Sequence, residues 1–298
     1  MGPQPPSIAA YILTKDCEGT VQKAVRSALA VASHVLVVDS ESTDRTREVA
    51  EAHGAEVAVH AFAGFPAQRN WALDELAARY APAYVLALDA DEWLDDEAIA
   101  DLRRRADDGQ LNRDVYFVRR RIHFDGKLLR WGGLQSTFLA RLFRSGLARY
   151  ENRQVNEHLA LLPGATRGFL QGAIEHADVS SWETYIEKHN RYSTLEAEER
   201  LRAKRLGPAE TGLGEALRRP DLRRRWLREQ VWNHLPARPV LRFVQIYVAL
   251  GGFLDGRQGF RRALFEAWQE MCTDLKAERL EAVRAFGTGP VDSPSGVG

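Results

Sequence analysis

The sequence predicts an α/β fold, with a mostly parallel sheet flanked by helices and a helical C-terminal extension. Short apolar runs alternate with amphipathic stretches through the first third of the 298 residues, which is the order that builds a parallel sheet with helical crossovers. Polar side chains follow these runs, at the sheet edge where ligands of such folds bind. After Ser181 the sequence takes on the charged, periodic pattern typical of helices.

The composition is that of an ordinary globular protein. Lys and Arg number 41, as do Asp and Glu, so no net charge attracts the chain to nucleic acid. Two cysteines, Cys17 and Cys272, are too few for a disulfide framework or a zinc cluster and indicate a reducing compartment. The first residues have neither the basic nor the apolar region of a signal peptide, so we expect a cytoplasmic protein.

The first two predicted strands end at polar loops. The first strand covers residues 7–13, and a helix follows Thr20, which is a favourable N-cap residue. The second strand covers residues 35–38 and ends in Asp39. Because that carboxylate lies where the loop of the first strand must also emerge, it is a candidate for ligand binding. The hydroxyls and acid at 42–44 are explained as helix caps.

The third predicted strand, residues 55–59, leads into a helix over 68–78. Arg69 lies in the first turn of that helix, where a cation opposes the helix dipole. A residue whose charge is unfavourable at its position in a helix is a candidate for ligand binding. A guanidinium at a helix N-terminus suits a phosphate or a nucleobase carbonyl. The alternative is an ion pair between Arg69 and a nearby acid.

The fourth predicted strand ends in a run of acids. Asp89 and Asp91 are two residues apart, so on an extended chain their side chains lie on the same face. We expect one to bind a polar ligand and the other Mg²⁺ or Mn²⁺, which proteins hold through one or two carboxylates plus substrate phosphates. The alternative is that these acids, with Glu92, belong to the first turn of a helix. The sequence has neither a Gly-x-Gly-x-x-Gly turn nor a Walker lysine loop.

Four motifs in this order resemble the signatures of family 2 glycosyltransferases. They are ILTKDCE at 12–18, VVDSESTDRT at 37–46, GFPAQRN at 64–70 and LDADE at 88–92. Members of this family have the GT-A fold, and the branch that the sequence most resembles comprises bacterial β-glucosyltransferases of the lipopolysaccharide core. Those enzymes usually have Asn-Glu where this sequence has Asp16-Cys17.

The resemblance implies a UDP-sugar site. Thr14 and Asp39 would contact the uridine, Arg69 the base or diphosphate, and Asp89 the ribose. Asp91 would bind Mg²⁺ or Mn²⁺. The nucleotide-sugar-binding residues implied in this way are Thr14, Glu18, Asp39, Arg69, Asp89 and Ala90.

Two further candidates follow the acidic strand. An acceptor hydroxyl must lose its proton to a base, and Glu157 is predicted for this role because its apolar neighbours would raise its pKa and the resembling enzymes keep an acid in their acceptor region. Asp125 is the alternative base. His176 is predicted in the last strand and would complete the metal site, as in some GT-A enzymes, unless it is a hydrogen-bonded structural residue.

We predict a nucleotide-sugar-binding and catalytic domain over 1–180, a helical region over 181–286 and a disordered tail over 287–298. The helical region contains an arginine-rich run at 218–228 and an apolar stretch at 239–254, which is too short to span a bilayer. An arginine-rich run next to an apolar stretch is typical of a helix that lies on an anionic membrane surface. A core helix or the face of a homodimer is the alternative.

Taken together, the resemblance implies an inverting, metal-dependent glycosyltransferase. It would move a sugar from UDP-glucose or UDP-N-acetylglucosamine to a hydroxyl of a cell-envelope glycan or lipid-linked acceptor and form a β bond. Peripheral contact with the inner face of the cytoplasmic membrane would bring it to that acceptor. A peptide or small-molecule acceptor is one alternative. A nucleotidyltransferase is another, although the Gly-rich loop typical of that class is absent after the first strand.

Overall fold

The structure is a computed structural model that describes residues 6–134, 137–151, 159–161, 164–177, 181–206 and 232–285. The chain divides into two compact units, Met1–Val179 and Ser180–Gly298. The arginine-rich run at 218–228 and the tail predicted over 287–298 lie outside the described residues.

The first unit alternates strand and helix up to its fourth strand, in the predicted order. Its elements are β1 (Ile8–Thr14), α1 (Val21–Leu29), β2 (His34–Asp39), α2 (Thr46–Ala52), β3 (Glu56–Val59), α3 (Phe65–Tyr80), β4 (Tyr84–Asp89), β5 (Glu92–Leu94), α4 (Asp96–Asp107), β6 (Val115–Phe124), β7 (Lys127–Leu129), β8 (Phe138–Arg144), β9 (Ala148–Tyr150), β10 (Leu159–Leu161) and β11 (Arg167–Ala177).

The main sheet has the strand order β3-β2-β1-β4-β8-β6-β11-β5, and β7 pairs with β6. β3, β2, β1 and β4 are parallel. β8 runs antiparallel to both β4 and β6, and β5 runs antiparallel to β11. The predicted α/β class with flanking helices is confirmed, and the strands after β4 make the complete sheet mixed. β9 and β10 form a separate pair.

The central strand β1 is buried on both faces, which explains its unbroken apolar sequence. Alternate residues from Ile8 to Ile12 pack against α1, whereas those from Ala9 to Leu13 pack against α3, because side chains on a strand point to opposite faces in turn. This two-sided core fixes the position of the carboxyl end of β1, from which the loop at Thr14 leaves the sheet.

The second unit is helical in its described part. It contains α5 (Trp182–Leu206), a 3₁₀ turn (Trp232–His234), α6 (Arg238–Val244), a π-helical turn (Gln245–Ala249), a 3₁₀ turn (Gly252–Asp255) and α7 (Gly256–Ala285). The apolar stretch 239–254 is therefore not one helix. It breaks at Gly251, whose φ of 72° is a conformation that glycine adopts easily. No helix among the described residues is long and apolar enough to cross a membrane.

Candidate active site

The loops after β1 and β2 are joined by hydrogen bonds between side chains and backbone. The Asp16 amide donates to Ser42 Oγ at 2.9 Å, and the Thr43 amide donates to Asp16 Oδ1 at 2.7 Å. That backbone hydrogen bond lowers the pKa of the Asp16 carboxyl. Glu18 accepts from the Arg45 amide at 3.1 Å. The alternative interpretation of this segment as helix caps holds for Asp44, which accepts from the Thr46 amide in the first turn of α2 at 2.9 Å, although the N-cap position itself is Arg45.

Asp39, at the end of β2, is fully buried and holds these loops together. Its carboxylate accepts from Thr14 Oγ1 at 3.0 Å, from the Ser42 amide at 2.8 Å and from Ser42 Oγ at 2.5 Å. Arg47 Nε lies 3.9 Å from Asp39 Oδ2. The structure thus brings the predicted pair Thr14 and Asp39 together. Their assignment to the uridine stays a prediction.

Asp89, at the end of β4, has a side chain that is 31% exposed and belongs to a group of mostly buried charges that we call the guanidinium cluster. Arg69 Nη2 is 2.7 Å from Asp89 Oδ1, and Arg141 Nη2 is 3.0 Å from Asp89 Oδ2. Arg141 also contacts Glu92, which is completely buried, at 2.6 Å, and Arg120 Nε is 3.7 Å from Glu92. Three guanidinium groups thus meet two carboxylates. The excess positive charge favours an anionic ligand.

The charges of the guanidinium cluster are strongly coupled. Burial raises the pKa of Asp89, but the positive charges of Arg69 and Arg141 outweigh it and hold that pKa well below its ordinary value. Burial lowers the pKa of Arg141, but the charges of Glu92 and Asp89 outweigh it and raise that pKa well above its ordinary value. Asp89 and Arg141 are therefore both charged at neutral pH.

Asp91 lies beside His176, as the sequence predicted for a shared site. Asp91 Oδ2 is 3.3 Å from His176 Nε2, and the Ala177 amide donates to the Asp91 carbonyl at 3.1 Å. The antiparallel pairing of β5 with β11 produces this contact, because it places His176 opposite Glu92. Both side chains are about one-fifth exposed, at 23% for Asp91 and 18% for His176, so the pair is accessible to a ligand.

The Asp91–His176 pair fits a metal only if the nucleotide completes the coordination. Among the residues that the structure describes, no group of three or more His, Cys, Asp and Glu side chains is placed to hold a metal ion. The pair offers one carboxylate and one imidazole, which are donors that Mn²⁺ accepts. A cation bound by so few protein ligands takes the others from substrate phosphates and water. The buried Nδ1 of His176 has no hydrogen-bond partner within the described structure.

Two other predicted site residues, Ala90 and Asp125, lie in turns that follow strands. Ala90 is buried and donates its amide to the Leu13 carbonyl at 3.2 Å, so it contributes backbone to the edge of the site. Asp125 lies in the turn between β6 and β7 with a φ of 51°. Glu157 lies outside the described residues, and its role as the base stays a prediction.

Sequence reasoning missed three members of the guanidinium cluster, Glu92, Arg120 and Arg141. Glu92 was considered for the first turn of a helix, but it begins β5, and α4 starts at Asp96 with Asp95 as its N-cap, whose carboxylate accepts from the Ala98 amide at 2.8 Å. Arg120 and Arg141 lie within β6 and β8 and are not among the predicted site residues. An arginine inside an otherwise apolar strand was the available signal, because a buried cation needs a buried partner.

The comparison with known families decides the class. The model of the family named Glycosyl transferase family 2 matches residues 10–177, which is more than half of the chain. The chain belongs to glycosyl transferase family 2. This confirms the resemblance inferred from the four motifs and the transferase class that it implied. The matched region runs from β1 to the end of β11, so it includes all the site residues described above.

Similar glycosyltransferases occur in Rickettsia. An uncharacterized glycosyltransferase of Rickettsia bellii is 39% identical over 90 residues, which are 30% of this chain and 29% of that protein. One from Rickettsia conorii is 39% identical over 90 residues, which are 30% of each. The matched segment thus spans less than a third of the length of these relatives.

Among solved structures, the chain is similar to Staphylococcus aureus TarS 1–349 in complex with UDP-GlcNAc. The identity is 16% and the TM-score 0.46, over 94% of this chain and 92% of that one. It is also similar to the Mycobacterium tuberculosis glucosyl-3-phosphoglycerate synthase in complex with Mn²⁺, UDP and phosphoglyceric acid. There the identity is 19% and the TM-score 0.31, over 40% of this chain and 44% of that one.

Proposed function

We propose that this glycosyltransferase is an inverting enzyme that uses a UDP-sugar, of the UDP-glucose or UDP-N-acetylglucosamine type. Its acceptor would be a hydroxyl of a cell-envelope glycan or lipid-linked molecule. One observation carries the proposal: Asp39 and Asp89 end the two strands on either side of β1, with Thr14 opposite Asp39 and Leu13 opposite Asp89 in the register. Family membership and this shared edge support a single nucleotide-sugar site.

The guanidinium cluster would bind the diphosphate. Arg69 projects from the first turns of α3, and Arg141 reaches the same place from β8. Guanidinium groups suit phosphate because their planar forks donate two parallel hydrogen bonds. The contacts of Asp89 with both arginines would fix the position of its carboxylate for the ribose. Glu92 acts as a positioning residue, because it holds Arg141 from the buried side.

Asp91 and His176 would hold a divalent cation, which when bound supplies charge stabilisation at the leaving diphosphate. Glu157 is proposed as the general base. It accepts the proton of the acceptor hydroxyl as the hydroxyl oxygen bonds to the anomeric carbon and the bond from that carbon to UDP breaks. General-base help of this kind is typically worth about 10²- to 10⁴-fold in rate. The products are UDP and a β-linked sugar.

The test compares Asp91→Asn with Asp96→Asn, an exposed acid of the same run. Thermal stability is measured with UDP, GDP and dTDP, each with and without Mn²⁺, and UDP release from UDP-sugars is measured in water, so that no acceptor is needed. We expect UDP with Mn²⁺ to stabilise the wild type and Asp96→Asn equally. Asp91→Asn should lose the Mn²⁺-dependent shift, and its UDP release should fall about 10²-fold or more.

Two outcomes contradict different parts of the proposal. If Asp91→Asn released UDP at the wild-type rate, the assignment of Asp91 to the metal would be wrong, but the assignment of a UDP-sugar as donor would be unaffected. Stabilisation by GDP or dTDP in place of UDP would overturn the uridine assignment, whatever the behaviour of the Asp91 variant.

A further inference from the structure

The segment from residue 235 to 275, which we call the α6–α7 segment, presents large apolar side chains to solvent. Twelve large hydrophobic residues are exposed in this fully described stretch. Phe253 and Leu254 are 50% and 54% exposed, and Phe260 and Leu264 are 43% and 53% exposed. So many exposed large apolar side chains within one stretch of chain are unusual on a soluble monomer and indicate an interaction site.

The acids of the α6–α7 segment are buried or partly exposed, and Glu266 and Asp274 pair with arginines. Glu266 accepts from Arg242 Nη2 at 2.9 Å, and Asp274 accepts from Arg200 Nη1 at 2.7 Å. Over residues 235–275, all of which the structure describes, no Asp or Glu is exposed. Gln245 and Arg257 are the only exposed polar residues there. Fully exposed polar residues are therefore few, and the charged one among them is positive. Arg242 and Glu266 are partly exposed as an ion pair, with side chains 36% and 30% exposed.

The packing inside the α6–α7 segment uses small residues. Gly259, Ala263 and Ala267 are buried on α7 at four-residue spacing. A Cβ atom at Gly259 would lie 1.9 Å from the carbonyl oxygen of Gly252, so the two backbones approach as closely as glycine permits. An amphipathic helix in water places its large apolar residues inside, whereas helices in lipid pack through small residues and turn large ones outward. The segment follows the second pattern.

We propose that the α6–α7 segment binds a phospholipid bilayer and lies in the plane of its interface. No described helix can cross a membrane, so the large apolar residues would enter only the boundary between headgroups and acyl chains. Arg257 would contact anionic headgroups. Lipid is favoured over a second copy of the chain, because protein interfaces have a polar rim with hydrogen bonds and this surface offers two fully exposed polar side chains.

Flotation of the full chain with lipid vesicles tests the inference. The vesicles contain phosphatidylethanolamine and phosphatidylglycerol, or phosphatidylcholine alone. The test variant is Phe253→Glu with Phe260→Glu, and the matched control is Phe169→Glu, since Phe169 is 58% exposed in the first unit. We expect the wild type and the control to float with anionic vesicles, and the double variant to bind at least about tenfold more weakly. Arg257→Gln should weaken the preference for phosphatidylglycerol.

Wild-type vesicle binding by the folded double variant, with circular dichroism as the check of folding, would overturn the inference. So would sedimentation velocity without lipid, if the wild type is a dimer that the double variant dissociates, because a second copy would then occupy the surface. Thermal stabilisation by UDP and Mn²⁺ is measured on the same samples. It tests the donor site separately, since the inference about lipid does not depend on the sugar donor.

Discussion

Two aspartates that flank the end of β1 are held in different ways. Asp39 accepts hydrogen bonds from neutral groups, the Thr14 hydroxyl and the amide and hydroxyl of Ser42. Asp89 is bound by the guanidinium groups of Arg69 and Arg141. Both end a buried parallel strand, and β1 lies between them. The ends of the two strands beside β1 therefore hold their aspartates by different interactions, one by neutral hydrogen bonds and the other by ion pairs.

The hydrogen bonds around Asp39 fix the backbone of two loops, whereas the groups around Asp89 determine the charge of the site. Around Asp39 the Ser40 amide also donates to the Thr14 carbonyl at 2.9 Å, so the hydrogen bonds determine the course of two loops. Around Asp89 the partners come from strands and helices distant in sequence, and three guanidinium groups meet two carboxylates. Neutral hydrogen bonds contribute about 0.5 to 1.5 kcal/mol each, whereas a buried charge left without its partner is much more costly.

The largest effect is expected for Arg141→Met. This variant keeps an apolar stem but leaves Asp89 and Glu92 without their shared cation, so the free energy of unfolding should fall by about 3 to 5 kcal/mol. The control is Arg144→Met on the same strand. Arg144 is 41% exposed and lies 3.3 Å from Asp114, so its loss should cost about 1 kcal/mol or less. Urea unfolding of both variants measures the difference.

Equal destabilisation by the two β8 variants would contradict this expectation. It would mean that the buried contacts of Arg141 contribute no more than an exposed ion pair, and the distinction between the two aspartate regions would lose its energetic basis.

A smaller effect is expected for Asp39→Ala. The change leaves the Thr14 hydroxyl and the Ser42 amide without their acceptor in a buried place, which should lower the free energy of unfolding by about 1 to 3 kcal/mol. Ser42→Ala removes the hydroxyl that donates to Asp39 and accepts from the Asp16 amide, but it keeps the bond from the Ser42 amide to Asp39, so it should cost less, about 1 kcal/mol. Urea unfolding again gives both values. If Asp39→Ala destabilises the protein more than Arg141→Met, the hydrogen bonds around Asp39 contribute more to stability than the charges around Asp89, contrary to our expectation.

The sequence predicted the fold best where the pattern was local. β1 and β4 follow from short apolar runs, and the α1 helix begins directly after Thr20, as the capping preference suggested. The Thr20 side chain nevertheless makes no cap hydrogen bond to the helix. The mixed part of the sheet was harder to predict, because no local pattern states that β8 inserts between β4 and β6.

The residues of the site likewise divide into those that local sequence pattern predicted and those that only the tertiary structure brings in. Thr14, Asp39 and Asp89 end strands or begin loops, so topology alone placed them at one edge. Arg69 pairs with Asp89, which was the alternative weighed for it, and this pairing is compatible with binding a ligand. Arg141 reaches the site only through the antiparallel pairing of β8 with β4, a contact between residues far apart in sequence, and so local pattern did not reveal it.

The smallest effect is confined to acid pH. Arg69 and Arg141 hold the pKa of Asp89 below its ordinary value, so the folded state binds a proton at this group more weakly than the unfolded chain does. The resulting stabilisation is complete above the ordinary Asp pKa of about 4 and is lost as the pH falls below it toward the folded value. Urea unfolding at several pH values should show wild type and Asp89→Asn converging in stability below about pH 4.

The comparison variant for this pH series is Asp16→Asn from the other region. A backbone hydrogen bond also lowers the pKa of Asp16, but its side chain is 42% exposed against 31% for Asp89. Its cationic partner Lys15 is 51% exposed, whereas the arginines beside Asp89 are buried, so solvent weakens the linkage at Asp16. We therefore expect a shallower convergence with the wild type than for Asp89→Asn. A stability difference between wild type and Asp89→Asn that stays constant down to about pH 2 would mean that the arginines do not favour the charged form of Asp89. The charge-setting role of that region would then be lost, and the two aspartates would differ only in their neighbours.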